Sequence, residues 1–126
     1  MYKFLIATSE TIIGKSIKES AVCAGYDVTE VKDGTEVIQI CEEVDFDIIV
    51  MDTALPKIDG FSACKEIRKF KKTPIILISS SGNEHDKILG FEMGSDDYMV
   101  KPLSIKVLMA KVNAIINRQT GKRVIV

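Results

Sequence analysis

Hydrophobic positions in this chain alternate between short continuous runs and stripes at helical spacing. Lys3 to Ala7 reads as a first buried strand, ending at Thr8-Ser9. A helical stripe follows, with Ser9 as the expected N-cap, Ile13, Ile17, Ala21 and Ala24 on one face, and Gly25 as the stop. Asp27 to Val31 is a short alternating strand, Asp33-Gly34 a turn, and Thr35 to Glu43 a helix burying Val37, Ile40 and Cys41. The centre of the pattern is Phe46 to Gly60, FDIIVMDTALPKIDG. Its unbroken apolar run, Ile48 to Met51, is β-branched and short, as a strand buried on both faces of a parallel sheet reads. It stops at one carboxylate, Asp52, followed by a loop with Pro56 and the turn pair Asp59-Gly60.

A helix is predicted over Phe61 to Phe70, with Cys64 and Ile67 inward. Its basic end, Arg68 to Lys72, suits the helix macrodipole and reads as a solvated face. Ile75 to Ile78 is a fourth strand running into Ser79-Ser80-Ser81. Asn83 to Met93 is a helix stopped by Gly94, Asp97 to Val100 a fifth strand, and Leu103 to Asn117 the last helix, burying Leu108, Val112, Ile115 and Ile116. Alternation of strand and helix with short connections predicts an α/β fold: a parallel sheet covered by helices on both faces through right-handed crossovers. The carboxyl ends of the strands then share one rim, where open α/β sheets gather their chemistry. There stand Thr8-Ser9, Asp52, Ser79 and Lys101. A carboxylate, a hydroxyl and an ammonium on one rim suit the handling of an anion or phosphoryl group, with Asp52 as nucleophile or metal ligand. Taken singly, each reads as an ordinary turn, cap or solvated residue.

Composition adds boundaries. At 126 residues, 46% hydrophobic and 28% charged, the chain fits one globular domain. A net charge of −1 gives no general reason to expect contact with nucleic acid or a membrane surface. No apolar run approaches a membrane span. Cys23, Cys41 and Cys64 lack metal-type spacing and each falls in a helical pattern, so buried reduced thiols of a cytosolic protein are expected. Gly14-Lys15-Ser16 has the look of a phosphate-binding loop but lies inside a helical stripe, and His85 reads as an exposed helical residue. Thr8, Ser9 and Thr11 are similar to a flavin phosphate loop, yet Ile12 stands where such a loop needs glycine.

FDIIVMDTALPKIDG, the strand PIILIS ending in a hydroxyl, and GSDDYMVKP, at these spacings, resemble the receiver domain of bacterial two-component response regulators from Lys3 to about Arg118. GSDDYMVKP is most similar to the subgroup whose receiver precedes a winged-helix DNA-binding domain. The resemblance implies a flavodoxin-like three-layer sandwich, a five-stranded parallel sheet in the order 2-1-3-4-5 with five helices. It implies a signalling module, not a turnover enzyme, that takes a phosphoryl group from a sensor histidine kinase onto Asp52 in the cytoplasm. Lys101 is then the ammonium that pairs with phosphoryl oxygens, Ser79 the switch hydroxyl, and Tyr98 the aromatic that moves inward with it. The Lys101-Pro102 bond is expected to be cis, aiming the ammonium at Asp52. Leu55-Pro56 would shape the adjacent loop, and Ala54 would offer a backbone carbonyl to a metal.

One part of the pattern departs. Where the family carries two adjacent acidic residues that hold Mg²⁺, this chain has Thr8 and Ser9; Glu10, one position later, has no direct metal role in the family and would reach the pocket through a water. Mg²⁺ favours carboxylate and water oxygens. At an effective dielectric of ~20, each missing charge forfeits about 4 kcal/mol at 4 Å before desolvation is subtracted. Weak or absent Mg²⁺ binding and a resting Asp52–Lys101 ion pair are therefore expected. A second reading follows, that of an atypical receiver working as a phosphorylation-independent dimerisation and protein-interaction module.

In the subgroup, activated receivers pair through the fourth helix, fifth strand and fifth helix. Lys87, Glu92, Asp96, Asp97 and Lys111 keep many of the expected charges, while Val107 replaces an acidic residue. Residues 1–118 read as the receiver. The remainder, within the polar and then apolar stretch NRQTGKRVIV, reads as a linker or the first strand of a further effector domain, through which alone DNA would be bound.

Overall fold

The computed structural model of the chain describes residues 1–119. Five strands alternate with five helices: β1 (Lys3–Ala7), α1 (Thr11–Cys23), β2 (Asp27–Val31), α2 (Gly34–Glu43), β3 (Ile48–Asp52), α3 (Gly60–Arg68), β4 (Ile75–Ser79), α4 (Glu84–Glu92), β5 (Asp97–Val100) and α5 (Ile105–Gln119). The strands form one parallel sheet in the order β2-β1-β3-β4-β5. This is the expected topology.

Side chains along a strand alternate between faces, so the continuous apolar runs feed two cores. Phe4, Ile6, Ile48, Val50, Ile76 and Ile78 meet α1 and α5 through Ile17, Ala21, Leu108 and Val112. Leu5, Ala7, Ile49, Met51, Ile75 and Leu77 meet α2 and α3 through Val37, Cys41, Ala63, Cys64 and Ile67. Every residue of β3 and β4 is buried, which is why neither shows alternating polarity.

The two Asp-Gly pairs are helix starts as well as turns. Asp33 accepts from the Glu36 N–H and Asp59 from the Ser62 N–H, each at 2.9 Å. The glycines are required for close approach. A Cβ on Gly34 would lie 1.9 Å from the Ile58 carbonyl oxygen, and one on Gly60 2.3 Å from that of Asp52. Asn83 caps α4 in the same way through the Asp86 N–H.

Four expectations change. Ser9 is not the cap of α1; Glu10 holds that position without a capping side-chain bond, and Thr8 Oγ1 accepts from the Glu10 N–H instead. Cys23 and Ala24 are exposed, because α1 ends as they turn away from the sheet. The last helix starts two residues later than expected, capped by Ser104, whose hydroxyl accepts from the Val107 N–H. It also continues past Asn117 to Gln119. Of the linker or strand expected at 119–126, Gln119 belongs to α5 and 120–126 lie outside the described residues.

Candidate functional site

β3 delivers Asp52 to the rim with 1% of its surface exposed. Its Oδ1 accepts from the Ala54 N–H at 3.0 Å. Its Oδ2 accepts from the Thr8 hydroxyl at 3.2 Å and from the Lys101 ammonium at 2.6 Å. The neighbouring strand registers make this convergence possible: β1 pairs with β3, and Asp52 stands opposite Ile78 of β4. Gly60 closes the loop beneath by donating its N–H to the Thr53 carbonyl at 2.8 Å.

Lys101 follows β5 directly, and its peptide bond to Pro102 is cis, as expected. Its side chain is 11% exposed, and the same Nζ also lies 2.7 Å from Glu10 Oε1. Burial works against the charged ammonium. The hydrogen bonds the ammonium donates to Asp52 and Glu10, with their attraction, outweigh burial and hold the Lys101 pKa above the ordinary lysine value. The resting ion pair expected between Asp52 and Lys101 is present.

Ser79 is also buried, and its Oγ accepts from Thr53 Oγ1 at 2.8 Å and from the Ser81 N–H at 3.1 Å. The Tyr98 hydroxyl donates to the Ser81 carbonyl at 2.7 Å. Ser81 therefore links the two residues expected to switch together. The Tyr98 ring already lies inward, 9% exposed, against Gly90, where a Cβ would come within 2.9 Å of it.

Asp52, Lys101 and Thr8 meet in one contact network, and Ser79 stands at the end of the next strand. Ser9 is exposed and Ala54 contributes an N–H to the Asp52 carboxylate. Three contributors were not assigned from sequence: Thr53, which holds Ser79; Gly90, which makes room for Tyr98; and Glu10, which reaches Lys101 directly. Thr53 sits beside Asp52 in the chain, the one signal that points to it. Glu10 and Lys101 are 91 residues apart, and no spacing rule joins them.

The donor set does not fit a divalent ion well. The β1 end supplies two hydroxyls; Thr8 uses its own as a donor to Asp52, and an ammonium covers the same Oδ2. Among the described residues, no group of three or more His, Cys, Asp or Glu is placed to hold a metal.

On the charged face, Asp96 accepts from Arg68 Nη2 at 3.0 Å and from the Ile75 N–H at 2.8 Å. Asp97 pairs with Lys111 at 2.6 Å. Three of the five charges expected to pair across a dimer are thus engaged within the chain. Ile88, Phe91 and Val107 stand exposed on the same face, with Lys87 and Glu92 also exposed. Among the described residues, no helix is long and apolar enough to cross a membrane.

Residues 4–113 match the response regulator receiver domain family. The chain is 39% identical over 117 residues to the alkaline phosphatase synthesis transcriptional regulatory protein PhoP of Bacillus subtilis, covering 92% of this chain and 49% of that protein. It spans about half the length of the curated relatives it matches, which are transcriptional regulators. The receiver domain of the Francisella response regulator 1452 superposes with a TM-score of 0.90 at 36% identity, covering 94% of this chain and 99% of that one. The receiver of sensor histidine kinase PA1611 from Pseudomonas aeruginosa, described with magnesium coordinated in its active-site cleft, superposes at 0.85 and 28% identity, covering 92% and 98%. With the family model matched over residues 4–113 and the fold shared with solved receiver domains, the chain belongs to the receiver domains of two-component response regulators.

Proposed function

We propose that this receiver accepts a phosphoryl group on Asp52 from a sensor histidine kinase, with little or no help from Mg²⁺. One observation carries the reading. Asp52 is buried at the end of β3 under the Lys101 ammonium, while the β1 end offers hydroxyls where a metal needs carboxylates. In the transfer, an Asp52 oxygen attacks phosphorus and a P–O bond forms. The P–N bond to the kinase histidine breaks, its electron pair stays on the imidazole, and water supplies any proton the ring then takes. Lys101 turns from the carboxylate to the phosphoryl oxygens and offsets their charge. Ser79 follows with its hydroxyl, and the Ser81 backbone transmits that shift to Tyr98.

In this reading the chain is a cytoplasmic signalling module without turnover chemistry. The receiver, read from sequence as 1–118, extends to the end of α5 at Gln119, and the residues after it lead towards an effector domain that would contact DNA. Exposed Ile88, Phe91 and Val107 support pairing through α4, β5 and α5, with Lys87, Glu92, Asp96, Asp97 and Lys111 around them. The resting ion pair also supports the second reading, a receiver that works through protein contacts without phosphorylation, because it leaves Asp52 neutralised already.

Labelling with acetyl phosphate, read by intact mass, tests both. Slow, partial addition of one phosphoryl group is expected, little changed by Mg²⁺ and absent in Asp52→Asn. Rapid stoichiometric labelling that requires Mg²⁺ would overturn the metal-poor site. No labelling from acetyl phosphate or a phosphorylated kinase would overturn Asp52 as acceptor and leave the interaction module.

A further inference from the structure

We infer that Glu10 is a positioning residue: a latch that shares the Lys101 ammonium with Asp52 at rest and must release it before Lys101 can serve an incoming phosphoryl group. The inference rests on Asp52 being the acceptor.

Glu10 sits at the cap position of α1 but makes no capping bond with its side chain. The carboxylate is thus not spent on the helix. It reaches across the rim to Lys101 Nζ at 2.7 Å, nearly the distance from that Nζ to Asp52. The two partners differ in burial. Asp52 has 2% of its side chain exposed and Glu10 48%. Detaching Lys101 from Asp52 strands a buried carboxylate, whereas detaching it from Glu10 returns an exposed carboxylate to water. The Glu10 contact is therefore the one that yields.

Glu10 also sets the charge of the site. Two carboxylates face one ammonium, so an anionic donor approaches a cluster with a net negative charge and a committed cation. A phosphoryl oxygen competes for Lys101 with Glu10 first. The backbone holds the latch in reach: Thr8 Oγ1 accepts the Glu10 N–H at 3.1 Å while donating to Asp52. The Thr8 hydroxyl that stands in for a metal ligand thus ties the latch to the acceptor.

The experiment compares the initial rate of Asp52 labelling by acetyl phosphate in wild type, Glu10→Gln and Glu10→Asp, with EDTA present, at low and high salt. Glu10→Gln is expected to label roughly 2- to 5-fold faster at low salt, the range of an exposed ion pair. Glu10→Asp, too short to hold Lys101, is expected to follow it. The advantage of Glu10→Gln should shrink in 1 M salt, where the Debye length falls to about 3 Å, while the melting temperature stays unchanged. Equal or slower labelling of Glu10→Gln overturns the latch; slower labelling means that Glu10 assists the reaction. Faster labelling in Glu10→Gln but not in Glu10→Asp also overturns it, in favour of simple charge repulsion. Labelling of Asp52 in all three proteins leaves the acceptor reading standing whichever way the latch falls. No labelling in any of them, in EDTA or in Mg²⁺ and from acetyl phosphate or a phosphorylated kinase, removes the acceptor reading and the latch together.

Discussion

The two ends of the strand rim have been treated differently. On the side of β3, β4 and β5, Asp52, Ser79 and Lys101 keep their places, and the backbone beneath them is tightly closed: Gly60 on the Asp52 carbonyl, Gly34 on that of Ile58. On the β1 side the strand and its register are equally regular, yet the side chains that emerge are Thr8 and Ser9. The Asp52 half depends on backbone contacts that tolerate no extra atom. The metal half depends only on which side chains leave the end of a strand. The side chains at the end of β1 can therefore change without disturbing the geometry around Asp52. Lys101 bridges the halves, because its ammonium contacts both Asp52 and Glu10.

The strongest way to break the comparison is through the acceptor backbone. Gly60→Ala should cost at least about 3 kcal/mol, since its Cβ would overlap backbone that cannot move without displacing Asp52. Urea unfolding would show it, and a change under about 1 kcal/mol would mean the loop adapts. Lys101→Met comes next. It leaves Asp52 buried with only the Thr8 hydroxyl and the Ala54 N–H, and should cost about 2–3 kcal/mol at neutral pH. The pH dependence follows from the sign of the Lys101 shift. Its folded pKa lies above the unfolded value of 10.5, so its contribution is complete below that value and fades as pH rises through the folded one. The gap between wild type and Lys101→Met should accordingly narrow above about pH 10.5. A gap constant into strong alkali would refute the ion-pair account.

Rebuilding the metal half sharpens the comparison from the other side. Thr8→Asp with Ser9→Asp should tighten Mg²⁺ binding by about 30-fold or more, if even half of the charge term of about 4 kcal/mol survives desolvation. Calorimetric titration would read it. If wild type already binds as tightly as the double variant, the hydroxyls are not the limitation. The smallest effect is expected at Lys57, which adopts φ 69° in the loop after Pro56. Lys57→Asn, better suited to that region, should stabilise by about 0.5–1 kcal/mol, although the contact of the exposed Lys57 ammonium to Asp33 is lost. A melting-temperature rise of a few degrees would be the sign.

Much of the fold could be read directly from the chain. Continuous runs such as Ile48 to Met51 and Ile75 to Ile78 can satisfy their hydrophobicity only between two helical layers, and the intervening stripes at helical spacing supply those layers. The ends of α1 were less legible. Ser9 has the chemistry of a cap, but Thr8 takes the backbone bond, and competition between adjacent hydroxyls leaves no mark in sequence. The thiols divide for a similar reason. Burial pushes Cys41 and Cys64 up to about 11, while Cys23 sits exposed at the end of its helix, a matter of where the helix turns.

The sequence by itself determined the five alternating pairs of strand and helix. It also determined that Asp52, Ser79 and Lys101 share a rim and that the β1 end lacks carboxylates, because strand termini and residue types are local properties. Apart from the expected Asp52–Lys101 pair, only the tertiary structure decided which groups touch. That Thr8 donates to Asp52, that Thr53 holds Ser79, and that Glu10 shares Lys101 with Asp52 across 91 residues depends on side-chain reach over the sheet edge. Contacts between residues far apart in the chain are set by packing distance, which no local pattern encodes.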